Sequence, residues 1–217
     1  MEMVLIEGGT FQMGFENGPS SNISGCSVEL SDFYIGKFVV TQILWKKVMG
    51  SNHSFFKGDN LPMDSICIQD TDKFIQKLNF QTGKNYRLPL EAEWEYAAKG
   101  GNKSKGYIFS GSDILDNVAW YSKNSNDQTH PIGLKQPNEL GLYDMSGNVW
   151  EWCSDLYYIN SDGTTKFDLY GHSLSHVYRG GCYYMPANES RSTYQGGYWT
   201  NPFGRYKTFG FRLVHSI

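Results

Sequence analysis

No paired-cysteine motif occurs in this 217-residue chain. Its four cysteines, Cys26, Cys67, Cys153 and Cys182, stand far apart with no CxxC among them. That removes the usual signals of a zinc knuckle or a dithiol redox centre. An even count leaves two disulfides open, but a reduced set of mostly buried thiols is the expected state. A charge excess is missing too: 19 Lys and Arg against 22 Asp and Glu give a net charge of −3. Nothing there draws the chain toward nucleic acid or an anionic membrane. No apolar run approaches membrane-spanning length, so no span is expected. No basic stretch precedes Met3-Val4-Leu5-Ile6, which reads as a strand and not as a secretory leader. Two locations stay open on this reading: the cytoplasm, or the cell surface if a leader has been removed. The GxSxG, HExxH and GxxxxGK patterns are absent, and with them the signatures of a serine hydrolase, a zincin and a phosphate loop.

What is present is an ordinary globular composition, 40% hydrophobic and 19% charged, ample for a core. Strands are predicted at 3–6, 11–14 and 33–40. A helix over 42–49 has Thr41 as its N-cap and Gly50 as its stop. A second runs about 68–80, with Phe74, Ile75 and Leu78 on one face and Gly83 after it. Its N-cap position holds Cys67, a poor capping residue, at a cost of about 1 kcal/mol. A short helix follows Pro89, with Trp94, Ala97 and Ala98 on its packing face. From Gly141 onward, short strands and long turns are predicted. Few helices and many short strands make an α+β domain with a high loop fraction, a single unit over 1–217.

Several stretches carry a resemblance: VTQILWKKVMG at 40–50, YRLPLEAEWEYAAKGG at 86–101, GLYDMSGNVWEWCSD at 141–155, and Arg179-Gly180-Gly181 paired with Gly210-Phe211-Arg212-Leu213. In this order and spacing the chain resembles the formylglycine-generating-enzyme/sulfatase-modifying domain, from Met3 to Leu213. The resemblance implies an elaborated C-type-lectin fold. It also implies two cysteines beyond the RGG that bind copper and attack substrate. Those positions hold Met185 and Ser190. A thioether and a neutral hydroxyl do not replace a thiolate, so neither copper nor the family's oxidase activity is expected. The resemblance further puts a structural calcium ion at Asp144, Gly147, Val149 and Glu151, with Gly147 and Val149 acting through carbonyls. A second family calcium site begins at the position of Asn117-Val118, where the loop departs from the pattern. Read as residues alone, Trp150 and Trp152 are equally core, and Glu151 a paired buried acid. Cys182 reads as a small buried residue, the alternative being a displaced nucleophile. His172 and His176 read as surface histidines, since Gly171 and the serines around them argue against a helix.

The last forty residues differ in character. Aromatics make up 16% of the chain, yet ten fall within 178–217, interleaved with Gly, Ser and Asn. Rigid aromatic anchors among adaptable polar residues are how antibody paratopes are composed. The framing Arg179-Gly180-Gly181, Ala187, Arg191-Ser192, Pro202, Arg205 and 210–213 is similar to the variable proteins of diversity-generating retroelements. Thr193 and Gln195 depart from that pattern. The resemblance implies a variable region over about 178–213, with diversified positions at Tyr184, Asn188, Tyr194, Gly196, Gly197, Tyr198 and Trp199. The candidate ligand-binding set adds Tyr183, Met185, Phe203 and Tyr206. Arg179, Arg191 and Arg212 should be structural, and the aromatic positions should share one exposed face. The functional expectation is a non-enzymatic binder of a protein or carbohydrate ligand. Its alternatives are a formylglycine-generating-type oxidase and an inactive accessory domain of that family.

Overall fold

The computed structural model describes residues 1–14, 26–157, 175–196 and 204–217. Among them, β1 (Met3–Ile6), β4 (Phe33–Gly36) and β9 (Val214–Ser216) form an antiparallel sheet in the order β1-β4-β9. Thus the two ends of the chain meet on β4. β2 (Gly9–Met13) and β3 (Cys26–Leu30) pair as a separate ribbon. The third sheet runs β7 (Gln195–Gly196), β6 (Ser175–Arg179), β5 (Trp150–Tyr157), β8 (Phe209–Phe211), with β8 parallel to β5.

The helices form where caps allow. α1 (Gln42–Met49) starts at Thr41, whose hydroxyl accepts from the Leu44 N–H, and stops at Gly50 in the left-handed region. α2 (Ile68–Thr82) solves its start differently from the expected weak cap. Asp70 reaches back and accepts from both the backbone N–H and the thiol of Cys67, each at 3.2 Å. The third-position carboxylate therefore does the capping, as in one half of a capping box. α3 (Glu91–Ala98) repeats the device, with the Leu90 N–H donating to Glu93 at 2.8 Å. A short α4 covers Leu115–Val118.

The strand expected to reach Val40 ends at Gly36. Beyond it the backbone serves other partners: the Gly36 and Lys37 carbonyls accept from Arg212, and the Val40 N–H donates to the Phe211 carbonyl. Strand alternation on β5 then divides the interior. Trp150 and Trp152 face one cluster, with Trp45, Phe74, Met63 and Phe211. Cys153 faces another, with Trp94, Phe33, Ile35 and Val177. Trp45 stacks on Phe74 with ring centroids 5.1 Å apart, and Phe211 closes edge-on. All four cysteines are free thiols, three of them buried.

Candidate functional site

The segment that begins at Arg179 is held from beneath by a buried cation. Glu91 and Glu95 lie four apart on α3 and so share one face. Arg179, 1% exposed at the end of β6, lies between them and the emerging chain. Its Nε donates to Glu91 at 2.8 Å and its Nη2 to Glu95, while Nη1 donates to the Ser192 and Tyr194 carbonyls at 3.2 and 3.0 Å. Lys99 adds a second cation on Glu95 at 2.6 Å, and Gln195 binds the free oxygen of Glu91. Burial would raise both carboxyls. Arg179 and Lys99 overcome it at Glu95, which ends below its usual value, whereas burial prevails at Glu91, aided by Asp155 and Glu95. The acidic pair in EAEWE was the missed sequence signal: two carboxylates on the packing face of a helix require a buried cation.

Arg212 anchors the other frame motif. Its five N–H groups meet Glu151 at 2.9 and 2.8 Å, and the carbonyls of Gly36, Lys37 and Tyr143 at 2.7, 3.0 and 2.8 Å. Trp94 Nε1 donates to the same Glu151 at 2.8 Å. Arg205, more exposed, pairs with Asp70 at 2.7 and 2.8 Å and ties this end of the segment to α2. Its guanidinium holds the Asp70 carboxyl well below the usual carboxylate range.

Between these anchors the chain alternates between pinned and open positions. Gly180 and Gly181 both have positive φ, and a Cβ on Gly181 would lie 2.6 Å from Ser190 Oγ. Tyr183 is bonded through its N–H to the Asn148 carbonyl and through its own carbonyl to Ser125. The Ser190 carbonyl accepts from Ser146, and the Ser192 N–H donates to Ile108. Tyr184, at 60% exposure, and Asn188 point outward, and Tyr206 is 36% exposed.

Several expectations change here. Tyr183 is fully buried, its ring edge-on to Phe56 at 5.5 Å, so it supports the surface from below and is not part of it. Met185 and Tyr194 are half-buried, Tyr194 tilted on Trp150 at 5.8 Å. Gly196 is buried, and a Cβ there would fall 2.0 Å from the Tyr178 ring. That close approach fits a structural glycine and not a position that accepts diverse side chains. Arg191, expected to be structural, is exposed and has no ion pair among the described residues. His176 is half-buried with Nδ1 3.2 Å from the Cys153 carbonyl, and burial lowers its pKa. Gly197, Tyr198, Trp199, Phe203 and His172 lie outside the described residues.

The positions of the resembling enzymes' chemistry hold no thiolate. Ser190 is fully buried, its hydroxyl unpartnered among the described residues. Cys182 is fully buried beside them, and burial pushes its thiol up to about 12. A thiol so protonated at neutral pH is inert. No group of three or more His, Cys, Asp or Glu side chains converges as a metal site among the described residues. Of the four calcium positions, Glu151 has both oxygens taken by Arg212 and one also by Trp94. Asp144 accepts from the Gly133 N–H at 2.9 Å, and burial raises its carboxyl to about 6. Glu151 is thus the paired buried acid. The donor set does not fit a cation, because calcium would have to displace a permanently charged guanidinium.

The sequence model of the sulfatase-modifying factor enzyme 1-like domain matches residues 1–217. Chaperone protein LppX of Paenibacillus barcinonensis is 34% identical over 99% of this chain and 89% of its own. The formylglycine-generating enzyme of Streptomyces coelicolor is 30% identical over 64% of this chain, which spans 47% of that enzyme. Among solved structures, Treponema denticola variable protein 1 superposes with a TM-score of 0.86 at 28% identity, over 99% of this chain and 95% of that one.

Proposed function

The chain belongs to the sulfatase-modifying factor enzyme 1-like family and has its formylglycine-generating-type C-type-lectin fold, and from that premise we propose that it is a non-enzymatic binding protein. On this reading it displays a diversified, tyrosine-rich surface between Arg179 and Arg212. One observation carries it: the frame residues Arg179 and Arg212 are buried and held by four and five hydrogen bonds, while Tyr184 and Asn188 between them face solvent. Such an arrangement lets exposed side chains change without touching what holds the fold. The likeness to a variable protein across nearly the whole chain supports it. The absent thiolate at 185 and 190, and the protonated Cys182, argue against the oxidase. The ligand on this proposal is a protein or a carbohydrate.

The test is to sequence this gene in many isolates. Substitutions concentrated in the codons of Tyr184, Asn188, Tyr194, Tyr198 and Trp199, at positions where a nearby near-identical repeat carries adenine, with a reverse transcriptase gene beside it, are the expected result. Uniform, sparse variation would end the diversified reading. A second reading is then favoured by the relative named as a chaperone: an accessory protein that holds one fixed partner with the same surface.

A further inference from the structure

Resting on the binding reading, we propose that the loop over 52–57 is an unvarying wall of the same surface, with Phe55 as its anchor, and that it takes a protein partner presenting a carboxylate beside an apolar side chain. Phe55 lies far outside the framed segment in sequence. It is 62% exposed, and a single exposed aromatic residue means little by itself. Three observations set this one apart.

First, the loop is clamped. Asp64 is fully buried and accepts from the Phe55 N–H at 2.6 Å, the Phe56 N–H at 3.3 Å and the Ser65 hydroxyl at 2.8 Å. With both N–H groups held by one carboxylate, the two rings are fixed against each other, edge-on at 5.0 Å. Phe56 turns inward against Tyr183, which leaves Phe55 turned out. An anchor ordered before binding loses little conformational entropy on contact.

Second, the loop is stitched to the framed segment. The Ser65 N–H donates to the Tyr206 carbonyl at 3.1 Å, and Ile66 pairs with Tyr206 as a β-bridge. Lys207, the next residue, places its ammonium 4.9 Å from the Phe55 ring centroid. Phe55, Tyr206 and Lys207 therefore form one patch, joined beneath to Tyr183 and so to Tyr184.

Third, the patch is cationic. Lys57 and Lys207 are exposed, and neither forms an ion pair among the described residues; exposed Asp59 pairs with neither. The carboxylate of Asp64 faces inward to its donors. An apolar ring with the Lys207 ammonium over it, and the Lys57 ammonium on the same loop donating to the Asn52 carbonyl at 3.2 Å, is complementary to an acidic, partly apolar protein segment. A neutral sugar would leave both ammonium groups without an ionic partner.

The experiment uses phage-displayed random peptides selected on the purified protein. Binding of the recovered peptides is then measured by interferometry to the wild type and to Phe55→Ala, Lys207→Glu and Tyr184→Ala. The expected result is enrichment of Asp or Glu next to Leu or Phe. Affinity should fall about tenfold or more in Phe55→Ala and in Lys207→Glu, with melting temperatures unchanged. Peptides sensitive to Tyr184→Ala but not to Phe55→Ala would overturn this proposal and leave the binding reading standing. Sensitivity to neither would overturn both. Dependence on Phe55 without acidic enrichment, or a library that yields no binder, would overturn the acidic protein partner.

Discussion

Two buried arginines do different work in this molecule. Arg212 is balanced by one carboxylate, Glu151, and directs its remaining donors to carbonyls of the first half of the chain and the loop before β5. Arg179 meets two carboxylates, Glu91 and Glu95, and directs its remaining donor to the Ser192 and Tyr194 carbonyls. The first therefore joins parts of the scaffold to each other, and the second joins the scaffold to the framed segment. Charge balance follows the same division. The Arg212 nest is a closed pair, whereas the Arg179 nest needs Lys99 and Gln195 to satisfy its extra acid. The scaffold and the framed segment are held by separate cations, so the two should be separable by mutation.

The largest effect expected is for Arg212→Ala. It leaves Glu151 buried without its cation, and urea unfolding should show a loss of about 3–5 kcal/mol. The double variant with Glu151→Gln should recover part of it, since the uncompensated charge is then gone. Arg179→Ala should cost less, about 3 kcal/mol, because Lys99 still neutralises Glu95 and only Glu91 loses its cation. Its signature should be local: hydrogen exchange should accelerate at residues 190–196 far more than in β5. Equal acceleration in both would erase the distinction between the two arginines.

A third test concerns Asp144. Burial raises its folded-state carboxyl from 3.8 to about 6. The stability tied to its protonated form is complete below about 3.8 and is lost as pH rises through about 6. Asp144→Asn should thus stabilise the protein by about 2 kcal/mol at pH 8 and by little at pH 4. Thermal melts at the two values check it. If calcium stabilised the wild type and EGTA reversed the effect, Glu151 would be a ligand after all; no shift is expected. The smallest effect should come from Tyr184→Ala, within about 0.5 kcal/mol of wild type in the same melts. A larger loss would place Tyr184 with the frame.

Local chemistry was legible in the chain from the start. Thr41 and Gly50 bound α1 as their residue types require, and the αL-forming Gly83 stops α2. The spacing of Phe74 and Leu78 named a core face, and RGG with GFRL framed the last segment. These signals lie within a few residues of the structure they specify. Where they misled, a distant partner intervened. The strand predicted to reach Val40 stops at Gly36 because Arg212 takes the carbonyls of Gly36 and Lys37. The weak cap at Cys67 is covered by Asp70, itself held by Arg205.

The sequence by itself determined the family, the loop-rich α+β class and the absence of a thiol at positions 185 and 190. Those follow from residue identity and order. Only the tertiary structure decided which residues of the framed segment face solvent. Tyr183 and Tyr184 are adjacent and identical, yet one is buried against Phe56 and the other stands open. Composition cannot separate them, because burial depends on which distant surfaces the fold brings beneath each ring. The same holds for Glu151. Whether that carboxylate meets a metal ion or a guanidinium is settled by where Arg212, 61 residues away, comes to rest.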